Sequence, residues 1–310
     1  MKCVRIHKFG GPDVLQVDEL TQLVPEKGQF VIKVMAASVN PVDYKTRAGD
    51  FPMVKDKDLP VVLGRDGAGV VSAVGDGVDG VEVGDEVLVH LGFERGAYAE
   101  QAVVCEGEWA KVPEGVSMDA AGALPLAGDT AWQGLFDEGG LQAGQTVLIH
   151  GGSGGVGHLA VQFAKVKGAR VITTCGKDAV DFVKSLGADE VIDYEKEKFE
   201  DHARDVDLVY DLIGGDTRQR SWAVLKPGGR LVTTVPDGQV EQQGRDAGRE
   251  GKQYMAKPSA ENLAEMAGLV ADGKVRVHVD KTFPLDKAAD AQKEVENEHP
   301  LGKVVIQPQG

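Results

Sequence analysis

The stretch at residues 146–167, TVLIHGGSGGVGHLAVQFAKVK, decides how this chain folds. Val147, Leu148, Ile149 and His150 read as a buried strand, and Val156, Leu159, Ala160, Phe163 and Ala164 then recur at helical spacing. Between them Gly152, Gly154 and Gly157 satisfy G-x-G-x-x-G at the point where a strand gives way to a helix. Glycines there permit a tight turn and let the backbone come close to a pyrophosphate, whose charge meets free N–H groups at the positive helix end. The run Gly152-Ser153-Gly154-Gly155-Val156-Gly157 is therefore the expected phosphate cradle of a dinucleotide.

The same alternation continues downstream. A strand at 170–174 precedes a helix opened by Asp178, with Phe182, Val183 and Leu186 on one face and Gly187 closing it. Short strands follow at 190–192, Val206–Asp211 and 230–235. Strands alternating with helices predict an α/β fold with a doubly wound parallel sheet. Residues 239–252 are polar, contain three glycines and lack periodicity, which predicts a mobile loop. A helix from Ser259 presents Leu263, Met266, Ala267 and Val270 inward, and the tail adds a strand at 275–279, a helix from Asp286 and a strand at Lys303–Gln307.

Upstream, to about residue 115, the pattern is different. Short β-like runs at 30–35, 70–74, Glu86–His90 and 98–104 are separated by turn clusters such as Gly75-Asp76-Gly77, which predicts a compact β-rich domain. Ser117 is the expected N-cap of an Ala-rich helix interrupted near Pro125 and leading through Thr130.

At 310 residues the chain has room for two cores. A net charge of −15, from 49 acidic and 34 basic residues, argues against nucleic acid or an anionic membrane surface as the main partner. No apolar run approaches bilayer-spanning length, and the start MKCVRIHKFG reads as a first strand rather than a signal peptide. Three widely spaced cysteines, Cys3, Cys105 and Cys175, allow neither a disulfide framework nor a metal knuckle and suit a reducing cytoplasm.

The choice of dinucleotide follows from the end of the second strand. In NAD-binding versions an acid stands there and binds the ribose hydroxyls. Here Thr174 is followed by Cys175, Gly176 and Lys177, so small polar groups and an ammonium replace the carboxylate that would repel a 2′-phosphate. The expected cofactor is NADPH, with Lys177 either binding the phosphate or merely opening the next helix.

Several separated segments resemble the medium-chain dehydrogenase/reductases. Asn40-Pro41-Val42-Asp43-Tyr44-Lys45-Thr46-Arg47-Ala48-Gly49 is similar to their N-P-x-D-x-K-x-R-x-G segment, and PVVLGRDGAGVV at 60–71 to their P-x-x-x-G-x-x-x-x-G-x-V block. HGGSGGVG at 150–157, Leu186-Gly187-Ala188, and Leu301-Gly302-Lys303-Val304-Val305 fall in family order. The resemblance implies a GroES-like β-rich catalytic domain from 1–121 and 270–310, with a Rossmann NADPH-binding domain inserted at 122–269. The nearest branch comprises the quinone oxidoreductases (zeta-crystallin-like) and alkenal/enone reductases.

Zinc-dependent members carry Gly-His-Glu in the second block, where this chain has Gly64-Arg65-Asp66, and the four-cysteine lobe expected after 86–90 is missing. Zinc needs three or four deprotonated ligands at suitable spacing, so no metal is expected. His90 and His150 read as hydrogen-bonded strand-end histidines. By resemblance, Tyr194 and Lys177 contact the 2′-phosphate end, Ile213 and Gly214 the adenosine ribose, and Thr130 and Val235 the nicotinamide side, with Thr174 beside the loop. A homodimer is expected on the same ground.

Without a metal, a quinone or α,β-unsaturated carbonyl must be activated by hydrogen-bond donors at its oxygen. Lys45 and Asn40, with Tyr44 behind them, are the expected catalytic donors, while Asp43 and Arg47 hold the loop. The rival reading is a non-catalytic NADPH-binding sensor or crystallin-type protein, which keeps the glycine loop but needs neither Asn40 nor Lys45.

Overall fold

The computed structural model describes residues 1–309, which form two compact units. The first comprises Met1–Ala127, Pro258–Gly273 and the chain from Val277 onward; the second comprises Gly128–Lys257 and Lys274–Arg276.

The first unit begins with β1 (Lys2–Ile6), β2 (Leu15–Glu19), β3 (Gln29–Val39), α1 (Pro41–Ala48), β4 (Val61–Val62) and β5 (Asp66–Val74). It continues through β6 (Glu86–His90), β7 (Gln101–Cys105), β8 (Trp109–Lys111) and α2 (Met118–Ala123), after which α3 (Pro125–Trp132) runs across the division. Long β3 organises the sheet: it pairs antiparallel with β5 and β7, and β5 continues to β6 and β8. Phe30, Ile32 and Val34 of β3 are buried with Val89, Leu91 and Tyr98. Each such side chain contributes roughly 1.5–3 kcal/mol by leaving water. Ser117 caps α2 by accepting from the Ala120 amide at 3.3 Å, as its position predicts.

The second unit holds β9 (Thr146–His150), α4 (Gly157–Val166), β10 (Arg170–Cys175), α5 (Val180–Ser185) and β11 (Glu190–Asp193). Then come β12 (Val206–Asp211), α6 (Gly215–Ser221), β13 (Leu225–Thr233), α7 (Val240–Asp246) and β14 (Glu250–Gln253). The six strands lie in the order β11-β10-β9-β12-β13-β14, all parallel. Chain order thus runs outward from β9 on one side and resumes from β9 on the other. Such a reversal opens a crevice at the carboxyl ends of the central strands, the usual ligand position in parallel sheets.

The remaining elements, α8 (Ala260–Ala271), β15 (Val279–Pro284), α9 (Ala288–Asn297) and β16 (Lys303–Gln307), belong to the first unit. Ser259 caps α8 by accepting from the Asn262 amide at 3.2 Å, and Leu263, Met266 and Ala267 are its buried face. β16 adds antiparallel to β3 and parallel to β15.

Two expectations are corrected. The polar segment at 239–252 is not a loop but forms α7 and the start of β14, because α7 needs only Val240 and Gly244 inward and β14 is held by backbone pairing with β13. The strand expected at 275–279 starts at Val279 and runs to Pro284, over polar residues whose register is set by β16.

Candidate functional site

The crevice of the second unit is built from the glycine loop upward. The three fingerprint glycines have three different surroundings. A Cβ on Gly152 would stand 2.1 Å from Thr173 Oγ1, and one on Gly157 only 2.0 Å from the Gly151 carbonyl oxygen. These two are glycine because the turn and the helix pack against β10 and the loop itself. A Cβ on Gly154, by contrast, would have nothing nearer than the Gly151 oxygen at 3.7 Å. That space is a cradle a side chain would fill, which fits a phosphate group lying against the backbone beside the N-terminus of α4.

Beside the loop, the ends of β12 and β13 are tied together by a buried arginine that sequence reading passed over. Arg218 on α6 is 1% exposed. It donates from Nε to Asp211 Oδ2 at 2.7 Å, from Nη1 to Asp237 Oδ2 at 2.5 Å, and from Nη2 to Thr233 Oγ1 at 3.0 Å and the Val235 carbonyl at 2.7 Å. Asp211 Oδ1 in turn accepts from the Ile213 and Gly214 amides at 3.0 and 2.8 Å. Gly214, Ile213 and Val235 are thus set by one ion pair, leaving Ile213 55% exposed. Thr130 is buried, and its carbonyl accepts from Tyr210 at 2.8 Å and from Tyr254.

At the far end of the crevice, Cys175 pairs with Asp193 across β10 and β11. Lys177 is exposed after them, and the Tyr194 hydroxyl lies 3.3 Å from where a Gly176 Cβ would be. Tyr194, Gly176 and Lys177 therefore share one rim. Two carboxylates stand near it: Glu195 Oε1 lies 3.5 Å from the same Gly176 Cβ position, and Asp193 is drawn towards Lys196 at 2.8 Å, whose ammonium holds its pKa below the usual range, with Lys177 adding to the effect.

His150 is fully buried between Thr174 Oγ1 at 3.1 Å and Ser221 Oγ at 2.9 Å. Ser221 already donates to the Thr217 carbonyl at 2.7 Å, so its oxygen accepts from Nε2–H and Nδ1 accepts from Thr174. Burial lowers the imidazole pKa from 6.5 to about 4. The unfolded chain then binds a proton that the folded chain refuses between those values. The stability linked to His150 is therefore complete above pH 6.5 and lost as pH falls towards 4, by about 3 kcal/mol. An NMR titration checks this: the ring protons of His150 are expected to hold a neutral shift from about pH 8 to about pH 5, where an ordinary histidine changes.

The first unit contains a second polar cluster. Asn40 caps α1: its backbone amide donates to Asp43 Oδ2 at 2.8 Å, in a reciprocal capping box with Pro41 at the first helical position. The Asn40 side chain donates to Asp66 Oδ1 at 2.8 Å and Ser38 Oγ at 3.2 Å, and accepts from Lys303 Nζ at 2.5 Å. Both amide hydrogens expected to reach an acceptor oxygen are thus engaged inside the unit, at 2% exposure. Burial lowers the Lys303 pKa, against the pull of Asp66 and Asp43.

Asp43 also accepts from the Tyr98 hydroxyl at 3.0 Å, and burial raises its carboxyl pKa to about 7. Arg47 donates to Gln292 Oε1 at 2.8 Å and Glu296 Oε2 at 3.0 Å, so both residues hold the helix as expected. Lys45 is half-buried on α1, and its ammonium has no hydrogen-bond or ion-pair partner among the described residues. Tyr44 is half-buried too, and burial raises its phenol pKa.

Among the described residues, no group of three or more His, Cys, Asp or Glu side chains is placed to hold a metal ion. No helix among the described residues is long and apolar enough to cross a membrane.

Residues 26–114 match the family model described as alcohol dehydrogenase GroES-like domain, and residues 186–306 the one described as zinc-binding dehydrogenase. The chain is 38% identical to the 2-methylene-furan-3-one reductase of Solanum lycopersicum, over 99% of this chain and 79% of the relative. It is 37% identical to the chloroplastic NADPH-dependent alkenal/one oxidoreductase of Arabidopsis thaliana, over 99% and 80% of the two chains. The solved quinone oxidoreductase of Coxiella burnetii superposes with a TM-score of 0.94 at 37% identity, covering 99% of each chain.

Proposed function

The chain belongs to the medium-chain dehydrogenase/reductase superfamily, and from that membership we propose that it is an NADPH-dependent oxidoreductase acting on a quinone or an α,β-unsaturated carbonyl. The observation that carries the reading is the glycine loop: two of its glycines are packed shut and the third, Gly154, opens a backbone cradle at the head of α4. When bound there, NADPH supplies a hydride to the acceptor carbon. The chain's own residues do the rest.

Ser153, Gly155 and Val156 line the cradle with backbone, while Lys177 and Tyr194 receive the 2′-phosphate on a rim where Thr174 and Cys175 end the strand without a carboxylate. Arg218 and Asp211 hold Gly214 and Val235 against the cofactor. In the first unit, Lys45 is the uncommitted cation offered to the acceptor oxygen, with Tyr44 beside it on α1, and Asn40 keeps α1, Asp66 and Lys303 in register. The reading includes zinc-independent chemistry, a homodimer and a reducing cytoplasmic setting. The three free cysteines support the last.

A substrate panel tests it. NADPH and NADH oxidation is followed with 2-alkenals, enones and naphthoquinones in the presence of a chelator. NADPH is expected to be favoured by at least about tenfold, roughly 1.4 kcal/mol for a single charge-assisted contact. Preference for NADH would remove the phosphate argument, and loss of turnover with chelator would remove the zinc-independent one.

A further inference from the structure

The turn after β11 brings to the cofactor rim a carboxylate that the end of β10 lacks. β10 and β11 run parallel with Cys175 opposite Asp193, so Gly176 and Lys177, leaving one strand, meet Tyr194 and Glu195, leaving the other. A Cβ on Gly176 would have the Tyr194 hydroxyl at 3.3 Å and Glu195 Oε1 at 3.5 Å. A phenol and a carboxylate therefore face the same piece of backbone, and Lys177 adds an ammonium directly after it.

The backbone that carries Glu195 is fixed. The Tyr194 amide donates to the Cys175 carbonyl at 3.2 Å, and the Lys196 and Glu197 amides donate to the Asp193 carbonyl at 3.0 and 2.9 Å. The Glu195 amide donates to Asp193 Oδ1 at 3.1 Å. Asp193 is itself committed, buried and ion-paired with Lys196 at 2.8 Å. Glu195 is not. Its carboxylate is exposed and makes no hydrogen bond or ion pair among the described residues, and Lys196 feels its charge less than that of Asp193.

We propose that Glu195 is a specificity-determining residue that limits the preference for NADPH over NADH, by opposing Lys177 and Tyr194 at the 2′-phosphate end of the crevice. This rests on the NADPH-dependent reading above. A phosphate monoester carries roughly two negative charges, and a carboxylate on the same rim repels it. A ribose 2′-hydroxyl is a donor, and the same carboxylate accepts from it. One side chain thus subtracts from one cofactor and adds to the other. Asp193 has no such effect, because Lys196 already answers its charge.

The test is equilibrium titration of the full chain, by calorimetry, with NADPH, NADH, adenosine 2′,5′-bisphosphate and 5′-AMP. Glu195→Gln is expected to tighten NADPH and the bisphosphate about fivefold and to weaken NADH and 5′-AMP about twofold, widening the preference about tenfold. The gain for NADPH should shrink in about 0.5 M salt, where an exposed charge is screened. Glu197→Gln is the control. It removes the same charge two positions along, from a carboxylate paired with His202 at 2.9 Å, and should change the preference by less than about twofold.

An unchanged preference in Glu195→Gln overturns the proposal. An equal widening in both variants also overturns it, by making the effect one of net charge, as does a gain that persists undiminished in high salt. A wild type that binds NADPH but reduces no enone or quinone sinks the reductase reading, whereas the binding comparison still decides the role of Glu195.

Discussion

Gly154→Val is expected to lower NADPH affinity by at least about 100-fold, roughly 2.7 kcal/mol, while leaving the melting temperature almost unchanged. The argument is local. A Cβ at Gly154 meets no atom closer than 3.7 Å, so valine fits the folded chain and its methyl groups occupy the space reserved for phosphate. Backbone geometry gives no further objection: the Gly154 amide donates to Gly151 at 3.2 Å and its carbonyl accepts from His158 at 2.9 Å, and neither bond involves a side chain of residue 154. Gly157→Ala is the contrasting case. Its Cβ would stand 2.0 Å from the Gly151 oxygen, so the loop must shift and stability should fall by about 1–3 kcal/mol. Fluorescence titration with NADPH and thermal melting separate the two outcomes. Wild-type affinity in Gly154→Val would mean that the phosphates do not lie against this backbone.

Arg218→Met is expected to cost about 3–5 kcal/mol of stability, because it strands the Asp211 carboxylate at 0% exposure. For a unit of this size that is a fall in melting temperature on the order of 10 °C. The same substitution frees Gly214 and Val235, so NADPH binding weakens as well. A paired change, Arg218→Met with Asp211→Leu, removes both charges and should recover part of the stability. It should not recover affinity, since the Ile213 and Gly214 amides lose the Asp211 oxygen they donate to. Recovery of both would show that the ion pair does not shape the crevice.

The contrast between these two sites explains what could be read from the chain alone. The phosphate cradle is legible because its chemistry is local: a strand, a turn and a helix start lie within residues 146–157, and each glycine answers to a neighbour a few positions away. Arg218 is not legible in that way. A lone arginine on a short helix reads as a solvated charge, and only the convergence of Asp211, Thr233 and Asp237 buries it. Lys303 reads as the polar start of a strand, yet its ammonium crosses to Asn40 from 263 positions away. The one usable signal was Asp211 at a strand end with Arg218 one helical stretch later. Arg65 stands where the resemblance puts a zinc-binding histidine, but its fixed orientation depends on Leu91 and Phe93.

The misread elements have the same origin. β14 is held by backbone pairing at a sheet edge, and β15 by its register with β16, so neither needs the apolar alternation that marks a strand. α7 buries only two of its residues. Where packing asks little of side chains, sequence periodicity is silent.

The central claim is direct hydride delivery from NADPH to a metal-free acceptor, and isotope transfer tests it most directly. NADPH carrying deuterium at the transferable position is mixed with an enone and a chelator in ordinary water. The saturated ketone is expected to gain one deuterium at the β-carbon, with hydrogen from solvent at the α-carbon. A product with no deuterium, or no product once metal is removed, would contradict the account.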